Sequence, residues 1–107
     1  MQESEVIVKT ESVLVRIMML TPHEVAEWHY HTQVIDNIFC LTGIILVRMR
    51  NPDEEVQLAA GARCQIEAGR IHQLENCKET DSSYLLVQGI GKYDFNIIDI
   101  PPTHLPL

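Results

Sequence analysis

The chain has no long apolar run, no cluster of basic residues, no closely paired cysteines and no sustained helical periodicity. Each absence removes a class of function. A helix spanning a bilayer needs roughly 18–20 apolar residues, and Arg16 interrupts the best stretch, Val13 to Leu20. The 8 Lys and Arg residues stand singly among 15 Asp and Glu, for a net charge of −7. Nucleic acid and anionic lipid are held by clustered cations, so neither nucleic acid nor membrane is an expected partner. Cys40, Cys64 and Cys77 are odd in number, widely spaced and without a C-x-x-C. That pattern suits reduced thiols packed as small hydrophobes rather than a disulfide framework. Met1-Gln2-Glu3-Ser4-Glu5 lacks the basic stretch and apolar core of a signal peptide, and the expected location is cytoplasmic. No repeat, linker or low-complexity stretch divides the chain, so one domain over residues 1–107 is expected. Its 46% apolar content is enough for a packed core.

What the chain does have is many short segments rich in Val, Ile and Leu, punctuated by turn residues. Val6–Thr10, Val13–Leu20, Val25–His31, Asn37–Leu41 and Ile44–Arg50 read as strands, as do Val56–Leu58, Arg63–Ile66, Ile71–Asn76, Tyr84–Gln88 and Phe95–Ile100. Proline lacks the amide hydrogen, so the tail from Pro101 to Pro106 cannot enter a central strand. Short strands at spacings near ten residues predict an all-β domain, an antiparallel sandwich or barrel.

The chemistry concentrates in the histidines. Residues i and i+2 of a strand share a face, so His29 and His31 project together while Trp28 and Tyr30 project the other way. His29-Tyr30-His31 is followed by four residues, Asp36, six residues and Gly43. Gly61 is followed by five residues, Glu67-Ala68-Gly69, two residues, His72, three residues and Asn76. Two motifs of the cupin family, in the same order, resemble these spacings: G-x5-H-x-H with a following glutamate and glycine, then G-x5-P-x-G-x2-H-x3-N. The likeness covers roughly residues 23–76. Three positions depart from it: His23 stands for glycine, Glu67 for proline, and Asp36 for glutamate. The first two are turn positions. Asp is shorter than Glu by one C–C bond, about 1.5 Å, so Asp36 is read either as a metal ligand or as a hydrogen-bond acceptor behind a ligand histidine.

The resemblance implies an antiparallel double-stranded β-helix (a jelly-roll barrel) with His29, His31, His72 and Asp36 around one divalent transition metal ion. Three imidazoles and a carboxylate suit Fe, Mn, Ni or Zn, and such a site leaves positions open to substrate. Strand parity adds Ile38 and Cys40 to the face of Asp36, Leu74 and Asn76 to that of His72, and joins Tyr84, Leu86 and Gln88. Gln88 and Tyr84 are therefore candidate substrate contacts, and His23 a candidate proton carrier at the mouth. Cys40 is expected to pack. Arg48, Arg50, Arg63 and Arg70 are expected on the surface, Arg70 being the best placed to meet an anion. The family hosts many chemistries. The functions implied are oxidation of a small polar metabolite by a dioxygenase, a metal-dependent isomerase or lyase, and a non-catalytic sensor of a small-molecule ligand. A homodimer is expected, because the two N-terminal strands carry apolar surface that an edge would leave open.

Overall fold

A computed structural model describes residues 4–98. Among these residues ten strands follow one another: β1 Ser4–Lys9, β2 Val13–Leu20, β3 His29–Tyr30, β4 Ile35–Thr42, β5 Ile44–Met49, β6 Glu54–Ala59, β7 Arg63–Ile66, β8 His72–Asn76, β9 Ser82–Gly89 and β10 Asn96–Ile97. No helix occurs among the described residues, and none is long and apolar enough to cross a membrane. One sheet has the order β1-β2-β9-β4-β7, the other β10-β3-β8-β5-β6. Every pairing is antiparallel. The expected all-β class holds, and β2 and β7 have the predicted bounds.

Alternation of apolar and polar residues packs the sheets face to face. Burial alternates along all of β8 and β9, and along β5. Ile38 and Cys40 of β4, Ile45 and Val47 of β5, and Leu58 of β6 meet Leu20 in the core. Each Ile or Leu removed from water there contributes roughly 1.5–3 kcal/mol. Cys40 packs as expected, with its Sγ near the Thr42 and Gly43 carbonyls.

Two turns explain parts of the sequence pattern. Gly43 joins β4 to β5 at φ 75°, and a Cβ there would overlap the Ser82 hydroxyl, so only glycine fits. Asn76 ends β8 fully buried. Its Nδ2 donates to the carbonyls of Leu20, Thr21 and Thr80, and its Oδ1 accepts from the Lys78 amide and the Ser82 hydroxyl. This single side chain ties β2, β8 and β9 together at the end of the barrel away from the histidines.

The structure corrects one strand. The segment predicted over Val25–His31 forms a strand only at His29–Tyr30. Upstream it follows β8 through an isolated bridge from Val25 to Glu75 and a bond from the Ala26 amide to the Leu74 carbonyl. His29 pairs with His72, one residue out of step with that bridge. A one-residue slip reverses side-chain parity, so His23 does not share the face of His29. Likewise, of the strand predicted over Phe95–Ile100 only Asn96–Ile97 is formed among the described residues. Residues 99–107, including the proline-rich tail, lie outside them.

Candidate metal centre

Each sheet contributes one polar rung to the inner face at the same end of the barrel. In one sheet Asp36 of β4 pairs with Gln88 of β9. In the other, His29 of β3 pairs with His72 of β8, with His31 just beyond. His31, Asp36, His72 and Gln88 are at most 3% exposed. One ligand atom from each of His29, His31, Asp36 and His72 lies within 4.8 Å of all the others. Those four residues therefore lie close enough to hold a metal ion.

Their hydrogen bonds decide which atoms face the centre. Nδ1 of His29 lies 2.8 Å from the Glu27 carbonyl, Nδ1 of His31 2.6 Å from the Asp94 carbonyl, and Nδ1 of His72 2.8 Å from the Arg70 carbonyl. A carbonyl only accepts, so all three Nδ1 atoms carry the proton and donate it. In a neutral imidazole the Nε2 lone pair is then free. Asp36 Oδ2 lies 3.2 Å from Nε2 of His31 and 3.2 Å from Nε2 of His72. Its Oδ1 accepts from Gln88 Nε2 at 3.0 Å. Nε2 of His72 is buried and makes no hydrogen bond. Gly69, at φ 83°, donates its amide to the His31 carbonyl at 2.7 Å, so the second motif helps hold the first.

Lone pairs and a carboxylate that converge in a buried space repel one another unless a positive charge lies among them. Without a metal, a proton takes that role. Burial opposes charge on Asp36, but the adjoining His31 and His72 imidazoles outweigh it and hold the carboxyl well below the usual carboxylate range. Burial also opposes charge on His31, and Asp36 outweighs it and pushes the imidazole up. His29 goes the other way: burial first, then the neighbouring His72, pulls it down to about 4. The orphaned Nε2 of His72 and the fixed tautomers fit a divalent transition ion, which would displace that proton.

The family model for the cupin domain matches residues 16–88. The chain is a cupin. Solved structures agree on the double-stranded β-helix. An uncharacterized conserved protein with this domain from Klebsiella pneumoniae aligns with TM-score 0.77 at 19% identity, over 89% of this chain and 82% of that one. TT1209 from Thermus thermophilus aligns with TM-score 0.75 at 24% identity, over 83% of each chain. KdgF from a Halomonas species aligns with TM-score 0.73 at 15% identity, over 83% of this chain and 80% of that one. No curated protein matches this cupin by sequence.

The remaining site residues separate clearly. Gln88 and Tyr84 face inward, both buried, and line the cavity beside the histidines. Burial lifts the Tyr84 hydroxyl well above its ordinary range, so it keeps its proton at neutral pH. His23 is not brought to the site: it is exposed in the Thr21–Glu24 turn at φ 59°, with its amide bonded to the Lys78 carbonyl. The left-handed conformation explains why the family motif has glycine there. Arg70 braces the turn before β6, donating to the Arg50 and Pro52 carbonyls and to Glu54. Arg48 pairs with Glu55 and Glu75, and Arg50 lies 4.2 Å over the Trp28 ring.

Three residues at the cavity carried no functional reading in the sequence. Arg16 of β2 lines it, as do Tyr93 and Phe95 from the segment after β9. Phe95 stacks on His29 with ring centroids 4.4 Å apart, and Asp94 between them is held by the Thr32 amide and hydroxyl. A signal for Arg16 was present: it stands two and four residues before Met18 and Leu20, both buried, so its strand face was the inner one.

Proposed function

We propose that this cupin holds one divalent transition metal ion on His29, His31, His72 and Asp36, and binds or transforms a small polar molecule at that centre. The observation that carries the reading is that three histidines, each with its Nδ1 committed to a carbonyl, bring a ring nitrogen within 4.8 Å of one another and of an Asp36 oxygen, those of His31 and His72 lying 3.2 Å from Oδ2. Asp36 acts as a ligand and not behind one, because its Oδ2 lies among the Nε2 atoms while Gln88 occupies its Oδ1.

When bound, such an ion supplies Lewis acidity at its open positions and, if it is iron or manganese, redox chemistry. The chain supplies the rest. Backbone carbonyls fix the imidazole tautomers, Gln88 fixes the carboxylate, and Ile38, Leu74 and Leu86 keep the inner wall apolar. The water-sized space inside is about 40 Å³, room for two or three waters or a group of a few atoms. Oxidation of a small metabolite by iron and dioxygen is the most concrete form of this function. An isomerase or lyase needs a proton carrier, and of the lining residues Tyr84 and Tyr93 carry hydroxyls. Binding without turnover is the alternative that a substrate panel would separate.

We further propose one domain over residues 1–107 and a homodimer built on β1. That strand is a sheet edge, and Val6, Ile7 and Val8 are each more than 40% exposed. A monomeric mass by light scattering at micromolar concentration would refute the dimer. The unpaired Cys40, Cys64 and Cys77 support a reducing compartment, the cytoplasm. For the centre itself, the test is metal content by mass spectrometry on never-chelated protein, beside His29→Ala. About one metal per chain, lost in the variant, is expected. A wild type that is empty and refuses added Fe, Mn, Ni and Zn overturns the proposal.

A further inference from the structure

Arg16 is the one charged side chain of β2 that turns into the barrel. Its parity with Met18 and Leu20 takes it inward, and it lines the cavity with the histidines. Nη2 donates to Gln88 Oε1 at 3.2 Å, and the guanidinium carbon lies 5.6 Å from the centroid of Tyr93. Its Nε is buried and has no hydrogen-bond partner. The contrast with the other partly buried arginines is informative: Arg48, Arg50 and Arg70 each pair with carboxylates, whereas Arg16 and the exposed Arg63 have no such pair among the described residues. A guanidinium never loses its charge, and a partly buried cation without an anion is costly. A structure that keeps one in a cavity leaves a place for an anion.

The surroundings limit which anion. Arg16, Gln88 and Tyr93 line the inner space of about 40 Å³ and also a second, outer one of about 280 Å³, so Arg16 stands at their junction. The outer space reaches Val34, Gly91 and the first turn around Thr10, where Lys9 and Glu11 both line it and offset each other's charge. Gln88 links the two regions, accepting from Arg16 while donating to Asp36. A group held on Arg16 thus lies within one side chain of the proposed ligands, and the rest of a small molecule fits the outer space. A planar guanidinium with an unpaired Nε–H matches the two coplanar oxygens of a carboxylate.

We infer that the small-molecule site of this cupin selects a carboxylate, held on the Arg16 guanidinium at the junction of the two cavities. The inference rests on the metal-centre reading only for which end of the molecule points toward His29, His31, His72 and Asp36. The anion site itself does not need the metal.

The test is titration of zinc-loaded protein with malonate and with its neutral diamide, malonamide, following the Arg16 Nε–H resonance by NMR. Malonate is expected to shift that resonance saturably and to bind at least ~10-fold more tightly than malonamide. Arg16→Gln should weaken malonate by ~10–100-fold, with its zinc content unchanged by mass spectrometry. Because the malonate–malonamide comparison is made on the wild type, it stands even if the variant does not fold. No saturable shift up to ~10 mM malonate overturns the inference, since that is weaker than any useful site. So does equal affinity for malonamide, an Arg16→Gln protein that binds malonate as the wild type does, or a preference for inorganic phosphate. Failure of the metal reading looks different: a chain that takes up no zinc, yet moves the Arg16 resonance with malonate, keeps the carboxylate site and loses the metal centre.

Discussion

Replacing Asp36 by Asn separates ligation from support. In the native site Oδ1 accepts from Gln88, and Oδ2 lies 3.2 Å from two Nε2 atoms. Asn keeps the size and the Oδ1 acceptor, and turns its Nδ2 hydrogens toward the Nε2 lone pairs of His31 and His72. The metal-free variant therefore has its buried polar groups satisfied and is expected to fold. An amide NH2 cannot ligate a cation, so zinc should bind about 100-fold more weakly, the upper end of what even outer partners of a metal site are worth. At free zinc ~100 times the wild-type Kd, binding stabilises the wild type by about 2.7 kcal/mol; a 100-fold weaker site gains only about 0.4 kcal/mol. The difference, about 2.3 kcal/mol, corresponds to a midpoint change of roughly 9–18 °C in a domain of this size. Thermal unfolding by circular dichroism in a zinc buffer, with and without the ion, reads it directly. An Asp36→Asn protein with the same zinc-induced rise as the wild type would refute ligation by Asp36.

Three further expectations follow from the same geometry. His72→Ala removes the buried, unpartnered Nε2 and should leave less than about one tenth of the wild-type metal in never-chelated protein; retention of full occupancy would exclude His72 as a ligand. Acidifying the metal-free protein should destabilise it between pH 6.5 and about 4, because His29 takes up a proton when unfolded but resists it when folded. The raised His31 acts above that window and the lowered Asp36 below the ordinary carboxylate value, so denaturation of His29→Gln should lose the slope within the window; an unchanged slope would mean that His29 is not its source. Gly43→Ala places a side chain at φ 75° against the Ser82 hydroxyl, which donates to Asn76. A left-handed conformation costs about 1–2 kcal/mol and overpacking about 1–3 kcal/mol, so urea denaturation should show a loss of about 2–5 kcal/mol, and one under about 1 kcal/mol would contradict the packing.

The sequence discloses the interior better than the route into it. Period-two alternation placed Ile38 and Cys40 with Asp36, and Tyr84 and Leu86 with Gln88, because a strand offers only two faces and one must be apolar. The spacing around His29, His31, Asp36 and His72 was legible for the same reason: pairing brings those positions to one end of the barrel. His23 is carried away from the site because the pairing slips by one residue between it and His29, which composition does not signal. Tyr93 and Phe95 lie on an irregular segment, where no periodicity exists to predict a facing direction. Arg16 was visible as an interruption of an apolar stretch; its inward parity was the information left unread.

The three acceptors behind the histidines belong to the main chain: the carbonyls of Glu27, Asp94 and Arg70. A carbonyl is present whatever side chain the residue bears. The support of the three imidazoles is thus insulated from point mutation in a way that a carboxylate or amide partner would not be. Substitutions at the exposed position 27 can change surface charge, and with it solubility or partner choice, without removing the carbonyl that fixes the His29 tautomer. Only Asp36, through Gln88, depends on a side chain for its orientation, and Gln88 in turn touches Arg16. The Arg16–Gln88–Asp36 line is thus a place where side-chain variation could reorient the carboxylate while sparing the three histidines.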